Sequence, residues 1–573
     1  MAEQEYDLIV VGSGAGACWA PIRAQEQGLK TLVVEKTELF GGTSALSGGG
    51  IWIPLNYDQK TAGIKDDLET AFGYMKRCVR GMATDDRVLA YVETASKMAE
   101  YLRQIGIPYR AMAKYADYYP HIEGSRPGGR TMDPVDFNAA RLRVTALETM
   151  RPGPPGNQLF GRMSISAFEA HSMLSRELKS RFTILGIMLK YFLDYPWRNK
   201  TRRDRRMTGG QALVAGLLTA ANKARVEMWC NSPLKELVQD ASGRVTGVIV
   251  ERNGQRQQIN ARRGVLLGAG GFERNQEMRD QYLNKPTRLV DGNPCGRQYG
   301  DAHRAGQAWA HTGADGLVLG RAHHGCSQGA GLSRHFRGTL AAGVHGGQRQ
   351  GAALPQRVRP VSGIPAAMLA ENAKGNGGVP AWIVFDASFR AQNPMGPLMP
   401  GSAVPDSKVR KSWLNNVYWK GRRWKIWRAD RRGRAGLQVS ARRMTEYARA
   451  GKDLDFDRGG NVFDRYYGDP RLKNPNLGPI EKGPFYAMRL WPGEIGTKGG
   501  LLTDREGRVL DTQGRIIEGL YCVGNNSASV MAPAYAGAGS TLGPAMTFAF
   551  RAVADMVGKP LPLENPHLLG KTV

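Results

Sequence analysis

The first apolar run, Leu8-Ile9-Val10-Val11, shows no alternation with polar residues. Such a run is expected of a strand buried on both faces of a parallel sheet. Gly12-Ser13-Gly14-Ala15-Gly16-Ala17 follows, then a helical stretch to Gln27, which Gly28 ends. Pro21 lies inside that stretch, one turn from its expected start, where proline is tolerable. Thr31-Leu32-Val33-Val34 forms the next strand and Glu35 closes it. Residues 41–56 are a Gly/Ser-rich loop, 66–105 carry helical periodicity, and 115–130 read as loop. Gly209-Gly210 opens a further helix, and Val265-Leu266-Leu267 runs into Gly268-Ala269-Gly270-Gly271-Phe272. A strand from Leu520 to Val523, a glycine-rich loop and a helix from about Pro544 complete the pattern. Strand and helix alternate at both ends, which predicts an α/β fold.

Composition narrows the class. A chain of 573 residues implies roughly two to four domains. Apolar residues at 42% and charged residues at 23% exclude a mostly disordered chain. Cys18, Cys78, Cys230, Cys295, Cys326 and Cys522 form no C-x-x-C pair. This argues against a disulfide framework or a zinc ribbon, and for reduced thiols in a cytoplasmic setting with no metal site. No leader-like segment precedes the first strand, and no apolar stretch is long enough to cross a bilayer.

Charge changes the picture. Lys and Arg number 79 against 51 acids, a net +28, which by itself would suggest a nucleic acid or an anionic membrane. Two stretches carry much of it. Residues 303–363 hold six of the nine histidines, seven Arg, one acid (Asp315) and no Lys. Residues 420–434 hold eight basic residues and one acid. Together they supply 13 of the 28 excess charges without a clear helical or strand period. They read either as a basic surface or as translations of a GC-rich gene in a shifted frame, as does a shorter stretch at 287–298. The frame reading is preferred, because a basic surface would use Lys as well as Arg and keep a folding pattern. A nucleic-acid-binding protein is therefore disfavoured.

The chemistry lies elsewhere. Gly12-x-Gly14-x-x-Ala17 sits between a strand and a helix, with Glu35 at the end of the next strand. Glycines there permit a tight turn and close approach of a pyrophosphate, the helix N-terminus offers N–H donors, and the carboxylate can accept from a ribose diol. Ser13, Ala15, Gly16 and Lys36 belong to the same candidate dinucleotide cradle. Gly41-Gly42-Thr43-Ser44 and Ser47-Gly48-Gly49 offer small residues and hydroxyls suited to a flat ring and a phosphate. No second fingerprint follows, which favours one tightly held FAD over a flavin plus a nicotinamide nucleotide. Ala269, Gly270, Gly524, Asn525, Leu542 and Pro544 complete the candidate FAD set. A helix starting near Pro544 can stabilise negative charge on a reduced flavin.

Val10-Val11-Gly12-Ser13-Gly14, Glu35-Lys36, Phe40-Gly41-Gly42-Thr43-Ser44 and Ser47-Gly48-Gly49-Gly50-Ile51-Trp52-Ile53-Pro54 together resemble the flavoprotein family of fumarate reductases and 3-ketosteroid dehydrogenases. Tyr535-Ala536-Gly537-Ala538-Gly539-Ser540-Thr541-Leu542-Gly543-Pro544-Ala545-Met546 is similar to the tail of the 3-ketosteroid Δ1-dehydrogenases. The match covers about 1–286, 364–419 and 436–573. It implies a Rossmann-like FAD domain built from 1–301 and 485–573, with an α+β substrate cap inserted at 302–484. It further implies hydride transfer from C1 of a 3-ketosteroid to flavin N5, removal of a C2 proton by a tyrosine base, and an external electron acceptor. Tyr535 and Gly539 match the pair that polarises the C3 ketone. Tyr118 resembles the tyrosine that assists the base, with Tyr119 as the adjacent alternative. Between Tyr299 and Tyr418 there is no tyrosine, so no base is assigned. Δ4-(5α)-dehydrogenation of the same substrates, or the reaction of another fumarate-reductase-like flavoprotein, is the alternative.

One feature concerns membranes. Phe182 to Leu193 is apolar and is followed by Lys200, Arg202, Arg203, Arg205 and Arg206. It reads either as a buried helix with a solvated charged turn, which is preferred, or as peripheral association with the inner face of the cell membrane.

Overall fold

A computed structural model describes residues 4–154, 158–174, 179–273, 275–282, 339–341, 363–375, 379, 381–395, 398–414, 416–422, 431–466, 468–490 and 496–569. The stretches 287–298 and 303–363 therefore lie outside the described residues, save 339–341 and Gly363; of 420–434, residues 423–430 do. The chain divides into two compact units, one of 1–168, 183–325 and 496–573, the other of 169–182 and 326–495.

In the first unit, β1 (Gln4–Val11), α1 (Ala15–Glu26) and β2 (Thr31–Val34) form the expected strand–helix–strand. Short strand β3 (Ile51–Trp52), helices α2 (Leu68–Val79) and α3 (Asp85–Gln104), and strands β4 (Tyr109–Ala111) and β5 (Thr131–Pro134) follow. Then come α4 (Lys179–Leu193), of which 183–193 belong to this unit, α5 (Gly209–Lys223), and strands β6 (Glu227–Trp229), β7 (Leu234–Gln239), β8 (Val245–Arg252) and β9 (Gln255–Leu267). The last segment supplies β10 (Arg508–Leu510), β11 (Ile516–Cys522) and α6 (Leu542–Met556).

The main sheet runs β6-β2-β1-β9-β8-β7, and β11 joins it through β9. Leu8 to Val11 of β1 are flanked by parallel strands on both sides and are almost fully buried. That explains their unbroken apolar run. Val265-Leu266-Leu267 pair in parallel with Leu520-Tyr521-Cys522, so the C-terminal segment completes the sheet that the N-terminus began. Helix α6 packs on α1 so closely that a Cβ at Gly16 would lie 2.7 Å from the Ala545 carbonyl.

Three sequence expectations need correction. Helix α1 begins at Ala15, so Pro21 sits nearly two turns in and removes the donor to the Ala17 carbonyl. Helix α6 begins at Leu542 rather than Pro544. The boundary at 485 also moves. Strand Phe485–Leu490 pairs antiparallel with Ala381–Phe385 and with Tyr418–Gly421, so the second unit extends to 495 and also takes in 169–182. Hydrogen bonding across a sheet, which local pattern cannot show, assigned that strand.

The second unit has a four-stranded sheet in the order 339–341, 381–385, 485–490, 418–421. Its core includes Met368, Ile383, Phe385, Tyr418, Tyr486 and Met488. Asp464, buried here, accepts from the Gly459 N–H at 3.0 Å on one oxygen and has no partner on the other. Burial pushes its carboxyl up to about 6, against the Gly459 hydrogen bond. A carboxyl raised in the folded state costs stability above that value and costs nothing once pH falls below its unfolded value. Asp464→Asn is therefore expected to raise the melting temperature at neutral pH. Thermal scans across pH should show the gain shrink below about 6 and vanish in the ordinary carboxylate range.

Candidate functional site

The turn after β1 is built for close contact. Gly12 has φ of +100°, and a Cβ there would lie 2.7 Å from the Gly268 carbonyl. Only glycine fits both demands. Gly268 in turn faces Ala17, whose Cβ would be 2.8 Å from its own added Cβ, which explains the small residue at that position. Helix α1 has Gly14 as N-cap and no side-chain cap. Ser44 Oγ accepts the Ala15 N–H at 3.0 Å. A helix N-terminus whose N-cap is glycine, beside a glycine turn, suits a diphosphate. Ser13 Oγ donates to Glu35 Oε2 at 2.5 Å and accepts the Gly41 N–H at 3.0 Å. Glu35 Oε1 accepts from the Thr37 N–H and hydroxyl at 2.9 and 3.0 Å. A carboxylate has about four acceptor sites, so one remains for a ribose hydroxyl. Thr37, absent from the sequence reading, orients that carboxylate.

The second glycine loop is held differently. Gly42 to Leu46 form a short 3-10 helix that includes Thr43 and Ser44. Ser47 Oγ donates to the Ser44 carbonyl at 2.7 Å and accepts the Gly49 N–H at 3.0 Å. A Cβ on Gly49 would lie 2.3 Å from the Gly209 carbonyl carbon. Gly48-Gly49 thus pack on the start of α5, so part of this loop's glycine content serves backbone packing. Gly270, at φ +91°, has open space where a Cβ would point. Gly524 follows β11 at φ +67°, with Asn525 next. Asn526, fully buried, has neither side-chain amide atom partnered. Its amide, the open side of Gly270 and the N-terminus of α1 are the features that fit FAD. Leu542 and Pro544 open α6, whose N-cap Thr541 makes no side-chain cap bond. Lys36 follows Glu35 and is half-buried.

The tyrosines converge from distant parts of the chain. The Tyr118 and Tyr535 rings stack with centroids 5.6 Å apart at 23°. The Tyr115 and Tyr118 hydroxyls lie 3.3 Å apart. The Tyr118 N–H and the Tyr74 hydroxyl both donate to the Ala536 carbonyl at 2.9 Å. Tyr119 is not interchangeable with Tyr118: its hydroxyl accepts the Tyr535 N–H at 3.2 Å. The Lys498 ammonium lies 5.2 Å from the Tyr535 ring centroid and donates to the Ala534 carbonyl. Gly539 has φ of +97°, and its Cβ would lie 2.3 Å from Ile51 Cα. The mid-chain stretch without tyrosine lies mostly outside the described residues, and no base is added.

Beneath these loops lies a charged cluster that no sequence pattern marked. Arg130 is fully buried. It bonds Asp66 through Nε and Nη2 at 2.8 and 2.7 Å, and Asp117 through Nη1 at 2.8 Å. Burial works against the Asp66 charge, but the Arg130 hydrogen bonds outweigh it and hold the carboxyl below its usual range. Burial wins at Asp117, whose carboxyl is raised despite Arg130. Among the described residues no group of three or more His, Cys, Asp or Glu could hold a metal. Cys18, Cys78, Cys230 and Cys522 are free thiols.

A mixed sheet whose parallel centre is completed by the C-terminal strand, with a glycine turn leading into a helix N-terminus, defines an FAD-binding flavoprotein. The family described as "FAD binding domain" matches residues 7–542. A 3-oxosteroid 1-dehydrogenase of Mycobacterium tuberculosis is 33% identical over 98% of this chain and 100% of that protein. A 4-oxocyclohexanecarboxylate 2-dehydrogenase of Sinomonas cyclohexanicum is 30% identical over 97% of this chain and 93% of that protein. The crystal structure of a 3-ketosteroid Δ1-dehydrogenase from Sterolibacterium denitrificans with 1,4-androstadiene-3,17-dione is 44% identical, covers 97% of this chain and 100% of that one, and superposes with a TM-score of 0.87. The chain belongs to the FAD-binding flavoprotein family and, within it, to the 3-oxosteroid 1-dehydrogenases.

Proposed function

We propose that this protein is an FAD-dependent 3-ketosteroid 1-dehydrogenase that converts a 3-keto-4-ene to a 3-keto-1,4-diene. The observation that carries this reading is the stacked Tyr118–Tyr535 pair beside Gly539, on the loop that leads into α6. Two similar proteins act, by their names, next to a ring ketone, one on oxosteroids and one on an oxocyclohexane acid. The shared chemistry is desaturation alpha-beta to that ketone, and the higher identity to a steroid enzyme favours the steroid.

FAD, when bound, supplies the hydride acceptor at its N5. The Tyr535 hydroxyl and the Gly539 N–H donate to the C3 oxygen, so the negative charge that grows there as C2 loses its proton is stabilised. Tyr118 supports the proton acceptor at C2, with its hydroxyl held near that of Tyr115. Tyr115 and Tyr118 are buried and Tyr535 is half-buried, which limits access of water to the reacting carbons. Electrons leave to an external acceptor. The test is purified protein with a 3-keto-4-ene steroid and an artificial acceptor. A 1,4-diene is expected; a 4-ene formed from the 5α-saturated ketone with no 1,4-diene would favour Δ4-(5α)-dehydrogenation instead.

A second reading concerns location. No helix among the described residues is long and apolar enough to cross a membrane. Helix α4 buries Ile187 and Tyr191, yet Phe182, Leu185, Leu189, Phe192 and Leu193 are half or more exposed. The preferred sequence reading of a buried helix therefore fails for the outer face. A continuous apolar stripe beside Lys190, Lys200 and Arg202 suits an anionic bilayer surface, where steroids partition. The protein is expected to co-sediment with phosphatidylglycerol-containing vesicles. Replacing Leu185, Leu189 and Phe192 by Ser should release it with diene formation in detergent unchanged.

A further inference from the structure

The two loops that bear Tyr118 and Tyr535 share more than their stacked rings, and one indole touches both. A Cβ on Gly537 would lie 2.3 Å from Trp52 Cδ1, so the Tyr535 loop rests directly on that side chain. The same indole N–H donates to Asp117 Oδ1 at 2.8 Å, and Asp117 immediately precedes Tyr118. Asp117 Oδ2 accepts from the Arg126 N–H at 2.9 Å and from Arg130 at 2.8 Å. Arg130 is in turn pinned by Asp66. Thr131, next to Arg130, donates its hydroxyl to the Ala538 carbonyl at 3.3 Å.

Such a cluster is a poor way to obtain stability alone. Burying a guanidinium and two carboxylates costs desolvation that well-packed apolar residues avoid. What it supplies is direction. Every donor and acceptor has a fixed vector, and the vectors run from α2's leading loop through Arg130 and Asp117 to the indole.

We propose that Trp52, Asp117 and Arg130 are positioning residues that set the separation and tilt of Tyr118 relative to Tyr535 and Gly539. This rests on the steroid-dehydrogenase reading above. The node touches neither ketone nor flavin in this role. It holds the two loops in register, so that the ketone donors and the proton-handling tyrosine address neighbouring carbons of one ring. Misplacement by about 1 Å can cost on the order of 10²-fold in rate.

The test compares Trp52→Phe and Asp117→Asn with the wild type as full-length, FAD-loaded proteins. Trp52→Phe keeps the ring body and removes the N–H. Asp117→Asn leaves an amide that can accept on one side only, although donors face both of its oxygens. Each is expected to lower kcat per bound FAD by roughly 10-fold or more, with KM for the 4-ene steroid changed less than about threefold. Binding of 1,4-androstadiene-3,17-dione, read from the flavin absorbance, should also be retained. A merely structural role would instead lower the melting temperature or FAD content and leave kcat per bound FAD at the wild-type value. That result in either variant overturns the inference, and the second variant decides if the first does not fold. If the wild type itself forms no 1,4-diene, the functional reading fails; diene from the wild type with unimpaired variants sinks the positioning role alone.

Discussion

Tyr535→Phe is expected to lower kcat for 1,4-diene formation by about 10²–10³-fold, the usual consequence of removing one donor from a developing oxyanion. The ring would stay, stacked on Tyr118 at 5.6 Å, so fold and FAD content should hold. Only the hydroxyl is lost. A C2 proton next to a ketone becomes acidic only as the enolate is stabilised, so the loss should fall on kcat more than on KM. The Lys498 ammonium near the Tyr535 ring favours any negative charge that grows on or near the phenol. Steady-state kinetics with a 3-keto-4-ene steroid check this. A kcat within about threefold of wild type would remove Tyr535 from the ketone-polarising role.

Gly539→Ala is expected to be as damaging for a different reason. At φ +97° an L residue is strained, and the new methyl would lie 2.3 Å from Ile51 Cα and 2.4 Å from the Ile51 carbonyl carbon. Those are backbone atoms of β3, not the end of a flexible side chain, so the 535–541 loop must move. Strain of this kind costs on the order of 1–3 kcal/mol, and the displaced N–H no longer points where the ketone oxygen needs it. A lower melting temperature together with loss of diene formation of about 10²-fold is the expected pair of results. Retained activity with reduced stability would mean that the Gly539 N–H does not address the substrate.

Much of the strand–helix–strand unit that carries the candidate nucleotide cradle was legible in the sequence. Gly12, Gly14, Ala17 and Glu35 lie within one strand–helix–strand unit, and their spacing follows from local geometry. The same holds for the turn after β9 and the glycine after β11, because a strand running into a glycine is a local event. The resemblance of the 535–546 segment also drew attention to Tyr535, which the structure brings beside Tyr118, and to Gly539, which packs on Ile51.

Other features escaped because nothing local encodes them. Phe485–Leu490 reads as a strand anywhere; its partners at 381–385 and 418–421 put it in the second unit. The difference between Tyr118 and Tyr119 depends on which ring meets a residue more than 400 positions later. Gly49 is also required by the backbone of Gly209, a packing demand that local sequence does not show. Arg130 sits in a chain with 79 basic residues, and only burial between two carboxylates distinguishes it from a solvated one.

By itself, then, the sequence determined the α/β nucleotide-binding unit and pointed to FAD, while the class of reaction came from the resemblance of its 535–546 segment to a known family. That unit is one continuous strand–helix–strand stretch, residues 8–35, whose two strands pair directly with each other. The tertiary structure alone decided which tyrosine faces which, which glycines yield space to backbone and which lie open, and the Trp52–Asp117–Arg130 node. Those properties arise between segments hundreds of residues apart, where only the packing of one surface on another sets the distances.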